Sequence, residues 1–169
     1  MKIYLTRFLV LLLLAVGGLK VQAQKTETIT IILVRHAEKD TTTAGDDPEL
    51  AAAGKVRAQK LAGMFPNAKP DEMFSTPYIR TRETLMPWAK QAGVEIKDYN
   101  ATNLPEFADR LKQQKGKTIV VAGHSNTTPA LANLLLDSDK YKTLPDAVYN
   151  KIFVITLLKG KVKGKVIEY

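Results

Sequence analysis

The sequence of 169 residues contains no cysteine, only two histidines and a single tryptophan. Without cysteine it can form no disulfide, and a lipid-modified N-terminal cysteine is excluded. It also lacks low-complexity tracts, internal repeats at a solenoid period and long linkers rich in proline, serine or glycine. A chain of this length without linkers predicts one globular domain with a sizeable core.

The first residues have the pattern of a secretory signal peptide. Lys2 and Arg7 precede an apolar stretch over residues 8–16, and the small-residue pattern Val21-Gln22-Ala23 follows. We expect cleavage after Ala23, with residues 1–23 as the signal. The apolar stretch is short for a membrane span, and an uncleaved N-terminal anchor is the alternative. The pattern predicts export, with the bacterial periplasm as destination and no stable membrane association after cleavage.

The formal net charge of the full sequence is +8; without Lys2, Arg7 and Lys20 of the predicted signal, the remaining domain at 24–169 carries 22 − 17 = +5. One cluster of lysines lies near the end of the chain: Lys159, Lys161, Lys163 and Lys165. No aromatic residues are interleaved with these lysines and no nucleic-acid-binding signature is present, so we expect a solvated face and no nucleic-acid partner. The positive charge favours anionic substrates through long-range attraction.

Strand-like and helix-like segments alternate along the domain. Predicted strands cover 29–34, 73–75, 94–99, 118–122 and 152–158, and predicted helices cover 48–65, 77–92, 106–114 and 128–136. Such alternation predicts an α/β fold, a three-layer sandwich with a mostly parallel central sheet and helices on both faces. The final segment, strand then Gly160 then strand, predicts a C-terminal hairpin at one edge of the sheet.

Three details of the helices are also predicted. Pro87 should break or kink the second helix, and Gly93 should end it. Thr128 should be the N-cap of the fourth helix, with Pro129 at its first position. Tyr78 and Trp88, on the second helix, are interpreted as packing residues.

Polar side chains follow three of the predicted strands. Arg35 and His36 follow the first strand, Thr76 follows the second with Arg80 one turn into the next helix, and His124 follows the fourth. Ligands in such sheets bind at the carboxyl ends of the strands. We therefore expect these side chains to lie along one edge of the sheet.

Two arginines and both histidines would meet at this edge, and their chemistry favours an anion. The guanidinium group suits bidentate contact with phosphate oxygens. A metal site needs more ligands than two histidines in a chain without cysteine, and the arginines would repel a cation. The sequence predicts a phosphate site with no metal and no cofactor.

Four blocks, in order, resemble the histidine phosphatase superfamily, which includes the phosphoglycerate mutases and a compact phosphatase branch. They are "LVRHAEK", "DDPELAAAGKVRAQKLA", "FSTPYIRTRETL" and "VVAGHSNTTPAL". The resemblance implies that His36 is a nucleophile that forms a phosphohistidine. It also implies that Arg35 and Arg80 hold the phosphate oxygens and that His124 donates hydrogen bonds to the phosphoryl group.

The resemblance also points to a general acid. Phosphatases of the family often use a glutamate after the third strand, and "NLPEFADRL" offers Glu106, with Asp40 and Glu38 as weaker candidates. Alternatively, Glu106 only stabilises the first turn of its helix.

Departures from the family pattern favour a small hydrolase. Ala37 stands where many members have glycine, residues 107–110 lack the segment typical of mutases, and no long insertion is present. These features resemble compact members that act on phosphohistidine or small phosphomonoesters, and export argues against a cytoplasmic phosphorelay. The expected partner is a small phosphorylated molecule. The alternatives are a phosphoryl transferase or mutase, and a non-catalytic phosphate-binding module. The sequence identifies neither the natural substrate nor the oligomeric state.

Overall fold

The computed structural model describes residues 27–42 and 45–169. The predicted signal peptide at 1–23 lies outside the described residues. Within the described ranges, none of the helices combines the length and apolar character that a membrane crossing requires.

Six strands and four helices make up the described part of the chain. The strands are β1 (Ile29–Arg35), β2 (Glu72–Ser75), β3 (Ile96–Asp98), β4 (Thr118–Gly123), β5 (Lys151–Leu158) and β6 (Lys161–Glu168). The helices are α1 (Ala52–Met64), α2 (Ile79–Ala92), α3 (Leu104–Lys112) and α4 (Thr127–Leu136). Each predicted element is present, with ends that differ by a few residues.

The strands form one mixed sheet in the order β3-β2-β4-β1-β5-β6. The first four strands of this order run parallel to one another, whereas β5 pairs antiparallel with β1 and β6 pairs antiparallel with β5. The predicted mostly parallel sheet with a C-terminal hairpin at its edge is confirmed.

Alternation along β1 builds two cores, one on each face of the sheet. Ile31 and Leu33 pack on one face with residues of α3 and α4. Ile32 and Val34 pack on the other face with residues of α1 and α2. Because successive side chains of a strand point to opposite faces, a strand that is apolar throughout must be covered on both sides. The three-layer α/β sandwich is therefore as predicted.

Two predicted details of the helices were wrong, a break of α2 at Pro87 and Thr128 as the N-cap of α4. The alternative of a kink at Pro87 stays a prediction. Helix α2 runs without interruption through Pro87 and ends at Gly93, whose φ of 66° is left-handed as expected of a C-cap. Helix α4 begins at Thr127 with Asn126 in the N-cap position, so Thr128 and Pro129 already lie inside the helix. The hydroxyl of Thr128 instead donates to the carbonyl of Val34, which joins α4 to the sheet.

Helix α1 packs against the loop that follows β1, and Gly54 makes this approach possible. A Cβ atom at position 54 would lie 2.2 Å from the carbonyl oxygen of Glu38. A glycine is therefore required where the helix presses on backbone. This contact supports the loop that begins with His36.

Candidate active site

The ends of three parallel strands meet at one edge of the sheet. Arg35, the last residue of β1, is in register with Gly123, the last residue of β4. The backbone N–H of His36 donates to the carbonyl of Gly123 over 2.9 Å. Ser75, at the end of β2, is in register with Ala122. The residues that follow these strands therefore start from neighbouring positions.

The two histidines of the sequence come together at this edge. The ring centroids of His36 and His124 are 5.4 Å apart, and the rings meet edge-on at 66°. His36 is only 5% exposed. A single ligand of phosphate size can contact both imidazoles.

The protonation of His36 follows from its surroundings. Its Nδ1 lies 2.8 Å from the carbonyl oxygen of Ala37, and because a carbonyl only accepts hydrogen bonds, Nδ1 carries the proton. Burial, followed by the charges of Arg80 and Arg35 and the neighbouring His124, lowers the pKa of His36 to about 4. At neutral pH the ring is therefore uncharged, and Nε2 holds an unshared electron pair.

His124 is also neutral at pH 7. Burial, together with the charges of Arg80 and Arg35, lowers its pKa to about 4. Its Nε2 lies 3.0 Å from the hydroxyl of Thr76. Its backbone N–H donates to the hydroxyl of Thr127 over 2.9 Å, which fixes the start of the turn into α4.

Arg35 is held by the loop before β5. Its Nη1 donates to the carbonyl oxygens of Pro145, Asp146 and Val148 at 2.9 to 3.0 Å. Its guanidinium carbon lies 4.1 Å from the centre of the Tyr149 ring. The Nε of Arg35 is buried and has no hydrogen-bond partner among the described residues. An orphaned N–H of a cation beside two imidazoles is a binding group for an anion.

Arg80 repeats this arrangement on helix α2. Its guanidinium carbon lies 4.4 Å from the centre of the Tyr78 ring, and its Nη1 lies 3.4 Å from a carboxylate oxygen of Asp47. That carboxylate also accepts the backbone N–H of Ile79, at the first residue of α2. The Nε of Arg80 is buried and unpartnered within the described part of the chain. The charges of both guanidinium groups act on His36 and on His124, so the two arginines lie near the histidine pair.

A cavity of about 740 Å³ opens beside His124. Its lining includes Tyr78, the N-cap residue of α2, and Arg80 from α2 itself. Asn100 and Thr102 from the loop after β3 and Asn126 complete this part of the lining. This space can hold a polar substituent attached to a phosphate at the histidines.

Solved structures of several phosphatases share this fold. The protein histidine phosphatase SixA in complex with tungstate aligns with a TM-score of 0.67 and 14% identity, over 82% of this chain and 96% of that chain. A mycobacterial glucosyl-3-phosphoglycerate phosphatase aligns with a TM-score of 0.62 and 12% identity, over 84% of this chain and 98% of that chain. A phosphoserine phosphatase mutant from Entamoeba histolytica, bound to phosphoserine, aligns with a TM-score of 0.62 and 17% identity, over 81% of this chain and 95% of that chain.

The sequence model of the histidine phosphatase superfamily (branch 1) matches residues 31–103, which include Arg35, His36 and Arg80. Over these residues the chain is similar to the histidine phosphatase superfamily, and the solved phosphatases above share its fold. The predicted resemblance is thereby confirmed. None of the curated proteins matches the sequence.

The glycine of the last superfamily block has a steric role. A Cβ at Gly123 would lie 2.8 Å from the hydroxyl of Thr127 and 2.9 Å from that of Tyr99. Only glycine leaves room for these side chains at the end of β4. The turn that presents His124 depends on this space.

Two tyrosines were missed by the sequence analysis. Tyr78, interpreted as a packing residue, is 40% exposed and meets the His124 ring edge-on at 5.2 Å, so this interpretation was wrong. The ring centroid of Tyr149 lies 6.0 Å from the ring centroid of His36. Trp88 is fully buried and stacks on Phe65 at 4.6 Å, as expected of a packing residue. Nothing in the four blocks that resemble the superfamily signals Tyr149, which lies in an irregular loop.

Glu106 lies apart from the histidines. It is exposed on the first turn of α3 and accepts the side-chain amide of Asn103 over 2.5 Å. It lines a smaller cavity that shares Asp98, Tyr99 and Asn100 with the cavity beside His124. Its role as general acid stays a prediction.

The weaker acid candidates are engaged elsewhere. Glu38 accepts two-pronged hydrogen bonds from Arg57 at 2.7 to 3.0 Å, and these bonds hold the pKa of its carboxyl below the usual value. Asp40 accepts the backbone N–H and the hydroxyl of Thr42 at 2.8 and 2.7 Å. A carboxylate held ionised by an arginine is a poor proton donor, which argues against Glu38.

Residues 27–42 and 45–169 contain no group of three histidine, aspartate or glutamate side chains placed to hold a metal ion. The positive groups that act on the histidine pair are the guanidinium groups of Arg35 and Arg80. This donor set fits an anion.

Proposed function

We propose that this protein is a member of the histidine phosphatase superfamily and a metal-independent phosphatase that hydrolyses small phosphomonoesters through a phosphohistidine on His36. The observation that carries the proposal is the pair of buried, unpartnered Nε–H groups of Arg35 and Arg80 beside two neutral imidazoles. The three structural neighbours described above are phosphatases, and their activities support the same reaction class.

The reaction would begin with attack of His36 Nε2 on phosphorus. The hydrogen bond from Nδ1 to Ala37 holds the ring in the tautomer with Nε2 unprotonated, and it supports the positive charge that the ring gains on attack. Fixing the ring also removes an entropic cost from the step. The guanidinium groups stabilise the charge on the equatorial oxygens of the transferring group.

The departing alkoxide needs a proton, which we assign to Glu106. The cavity that Glu106 lines adjoins the one beside His124 through Asp98, Tyr99 and Asn100. In the second step a water molecule attacks the phosphohistidine, and inorganic phosphate leaves. A glutamate that has given its proton to the first leaving group can take one from this water.

A tetrahedral oxyanion fits this site by charge and size. SixA, which shares the fold, was solved with tungstate, an oxyanion of phosphate shape. The E. histolytica phosphatase was solved with phosphoserine, a small phosphomonoester. We infer that the phosphoryl group of a comparable small ester occupies the space between His36 and His124.

The decisive test is turnover of p-nitrophenyl phosphate in EDTA by the purified protein and by His36→Ala. We expect activity that survives chelation and disappears in the variant, together with a covalent phosphate on His36, detected by mass spectrometry in samples quenched with denaturant at alkaline pH, where the P–N bond survives. Equal activity in both proteins, or activity that returns only with added metal, would reject the mechanism. Binding of tungstate without turnover of any ester would indicate a phosphate-binding module.

We also propose that the protein is exported after cleavage following Ala23. Expression of the full sequence in a bacterium, fractionation and mass measurement of the purified chain test this. A periplasmic chain that begins at Gln24 supports the proposal, and a membrane-bound chain with Met1 retained contradicts it.

A further inference from the structure

Two threonines link His124 to the protein backbone through consecutive hydrogen bonds. The Nε2 of His124 lies 3.0 Å from Thr76 Oγ1, and Thr76 Oγ1 lies 2.9 Å from Thr81 Oγ1. Thr81 Oγ1 in turn lies 2.8 Å from the carbonyl oxygen of Tyr78 and 3.0 Å from that of Thr76. Both threonines are buried, with exposures of 1% and 0%, so water does not substitute for either hydroxyl.

The two carbonyl oxygens bonded to Thr81 determine which atom donates in each hydrogen bond of this series. A carbonyl oxygen cannot donate, so the single hydroxyl proton of Thr81 points to one of the two carbonyls. Thr81 Oγ1 then accepts from Thr76, and Thr76 has no further proton to give. Thr76 Oγ1 must therefore accept from His124, which places a proton on Nε2.

We propose that Thr76 and Thr81 are positioning residues that hold the single proton of neutral His124 on Nε2 and leave Nδ1 as the atom that gains a proton when a phosphoryl group binds. The assignment of Nε2 stands on the hydrogen bonds alone, whereas the proton gain rests on the proposed function. No described residue forms a hydrogen bond with His124 Nδ1, and the His124 ring lines the cavity.

The proton gain follows from charge. The groups that face His124 are His36 from the end of β1, Arg35 from the same strand, and Arg80 and Tyr78 from the region of α2. The two guanidinium groups oppose a positive charge on His124 in the empty site. A bound dianion offsets them and attracts a proton to Nδ1, because an unprotonated nitrogen would repel a phosphoryl oxygen. The proton comes from solvent or from the substrate monoanion, and no bond other than N–H forms.

The two imidazoles should therefore carry their protons on opposite nitrogens. His36 has its proton on Nδ1, held by Ala37, whereas His124 has its proton on Nε2, held by Thr76. This contrast can be read directly because the sequence has only two histidines. Long-range ¹H–¹⁵N correlation spectra of ¹⁵N-histidine-labelled protein, free of any histidine tag and of phosphate, distinguish the tautomers at pH 7.

The variants separate positioning from simple packing. Thr81→Val keeps the shape of the side chain but removes the hydroxyl, and we expect His124 to become a mixture of tautomers while His36 is unchanged. Thr81→Ser should restore the Nε2–H form. Thr84→Val is the matched control, since this buried threonine of α2 accepts from the N–H of Ala37 and donates to the carbonyl of Arg80; it should leave the tautomer of His124 unchanged.

Tungstate supplies the second measurement. Its addition at pH 8 should protonate both nitrogens of His124, and calorimetry in buffers of different ionisation heats should show net proton uptake. The inference is overturned if His124 carries its proton on Nδ1 in the unmodified protein. It is also overturned if the spectrum of Thr81→Val is identical to that of the unmodified protein. If Thr81→Val does not fold, the spectrum of the unmodified protein still decides the tautomer. If both histidines show the expected tautomers but the protein hydrolyses no ester, the proposed function is wrong and this inference stands. If the protein hydrolyses esters but His124 carries its proton on Nδ1, this inference is wrong and the proposed function stands.

Discussion

The rings of His36 and His124 meet edge-on with centroids 5.4 Å apart, although one follows β1 and the other follows β4. The parallel pairing of these strands, with Arg35 in register with Gly123, produces this contact. Burial and two nearby guanidinium groups keep both rings uncharged at neutral pH. The site therefore pairs neutral nitrogens with permanent cations.

The stability of the protein should fall as the pH drops from 6.5 towards 4. The pKa of each histidine is about 4 in the folded protein, against the ordinary histidine pKa of 6.5. Between these values the unfolded chain binds protons that the folded chain does not, so stability is lost as pH falls and is unaffected by these groups above pH 6.5. Thermal unfolding in phosphate-free buffer measures this. His124→Gln should show a shallower decrease over the same window, and an equal slope would contradict the assignment.

Arg80→Ala should reduce kcat/KM for p-nitrophenyl phosphate by about 100-fold, because it removes a donor aimed at the phosphoryl oxygens. Arg82→Ala is the matched control, since Arg82 lies on the same helix and forms an exposed ion pair with Asp98. We expect activity of that variant within about twofold of the unmodified protein, as surface ion pairs contribute little. Similar losses in both variants would show that charge near α2, and not the placement of Arg80, matters.

Tyr149→Ala should lower kcat/KM several-fold, whereas Tyr149→Phe should change it little. The ring stacks on the Arg35 guanidinium at 4.1 Å, and a cation–π contact of this kind contributes about 1 kcal/mol. Phenylalanine retains the ring face. Steady-state kinetics of both variants test this, and a Phe variant as impaired as the Ala variant would assign the effect to the hydroxyl.

Gly54→Ala should destabilise the fold by about 1–3 kcal/mol or more, because the new methyl group would meet the Glu38 carbonyl oxygen at 2.2 Å. Gly63→Ala, on the same helix, should stabilise it by about 0.5–1 kcal/mol, since nothing lies within 4 Å of the added atom. Denaturant unfolding compares the two. Equal changes in the free energy of unfolding for the two variants would mean that helix propensity alone, and not the contact with Glu38, determines the effect of alanine in α1.

Glu106→Gln should slow the hydrolysis of alkyl phosphates by about tenfold or more and leave the hydrolysis rate of p-nitrophenyl phosphate nearly unchanged. A good leaving group needs no proton, whereas an alkoxide does. Parallel kinetics on both ester types measure the difference. Glu49→Gln is a control, because Glu49 is a surface carboxylate paired with Lys55. A uniform effect on both esters would exclude Glu106 as the proton donor.

The fold and the central side chains were predictable because they depend on local patterns. The apolar run of β1 and its abrupt end at Arg35 predict a buried strand that delivers polar groups to the edge of the sheet. His124 follows β4 in the same way. The order of four superfamily blocks then joined segments that lie far apart in the chain.

Other features depend on contacts that no local pattern encodes. The carbonyl oxygens of Pro145, Asp146 and Val148 bind Arg35, yet this loop has no distinctive composition. Tyr78 has the size of a core residue, and only the tertiary structure shows that it borders the cavity. The continuity of α2 through Pro87 likewise depends on packing against α1 and the sheet, which outweighs the local cost of proline.

The sequence by itself determined which strands end in arginine and histidine, since hydrophobic alternation and strand-ending polar residues are properties of neighbouring positions. Only the tertiary structure decided how far apart the imidazoles lie and which nitrogen of His36 carries the proton. It also decided that Glu106 lies in a separate cavity. Those properties arise from the pairing of distant strands and from hydrogen bonds that form when the chain has folded, so the order of residues alone does not specify them.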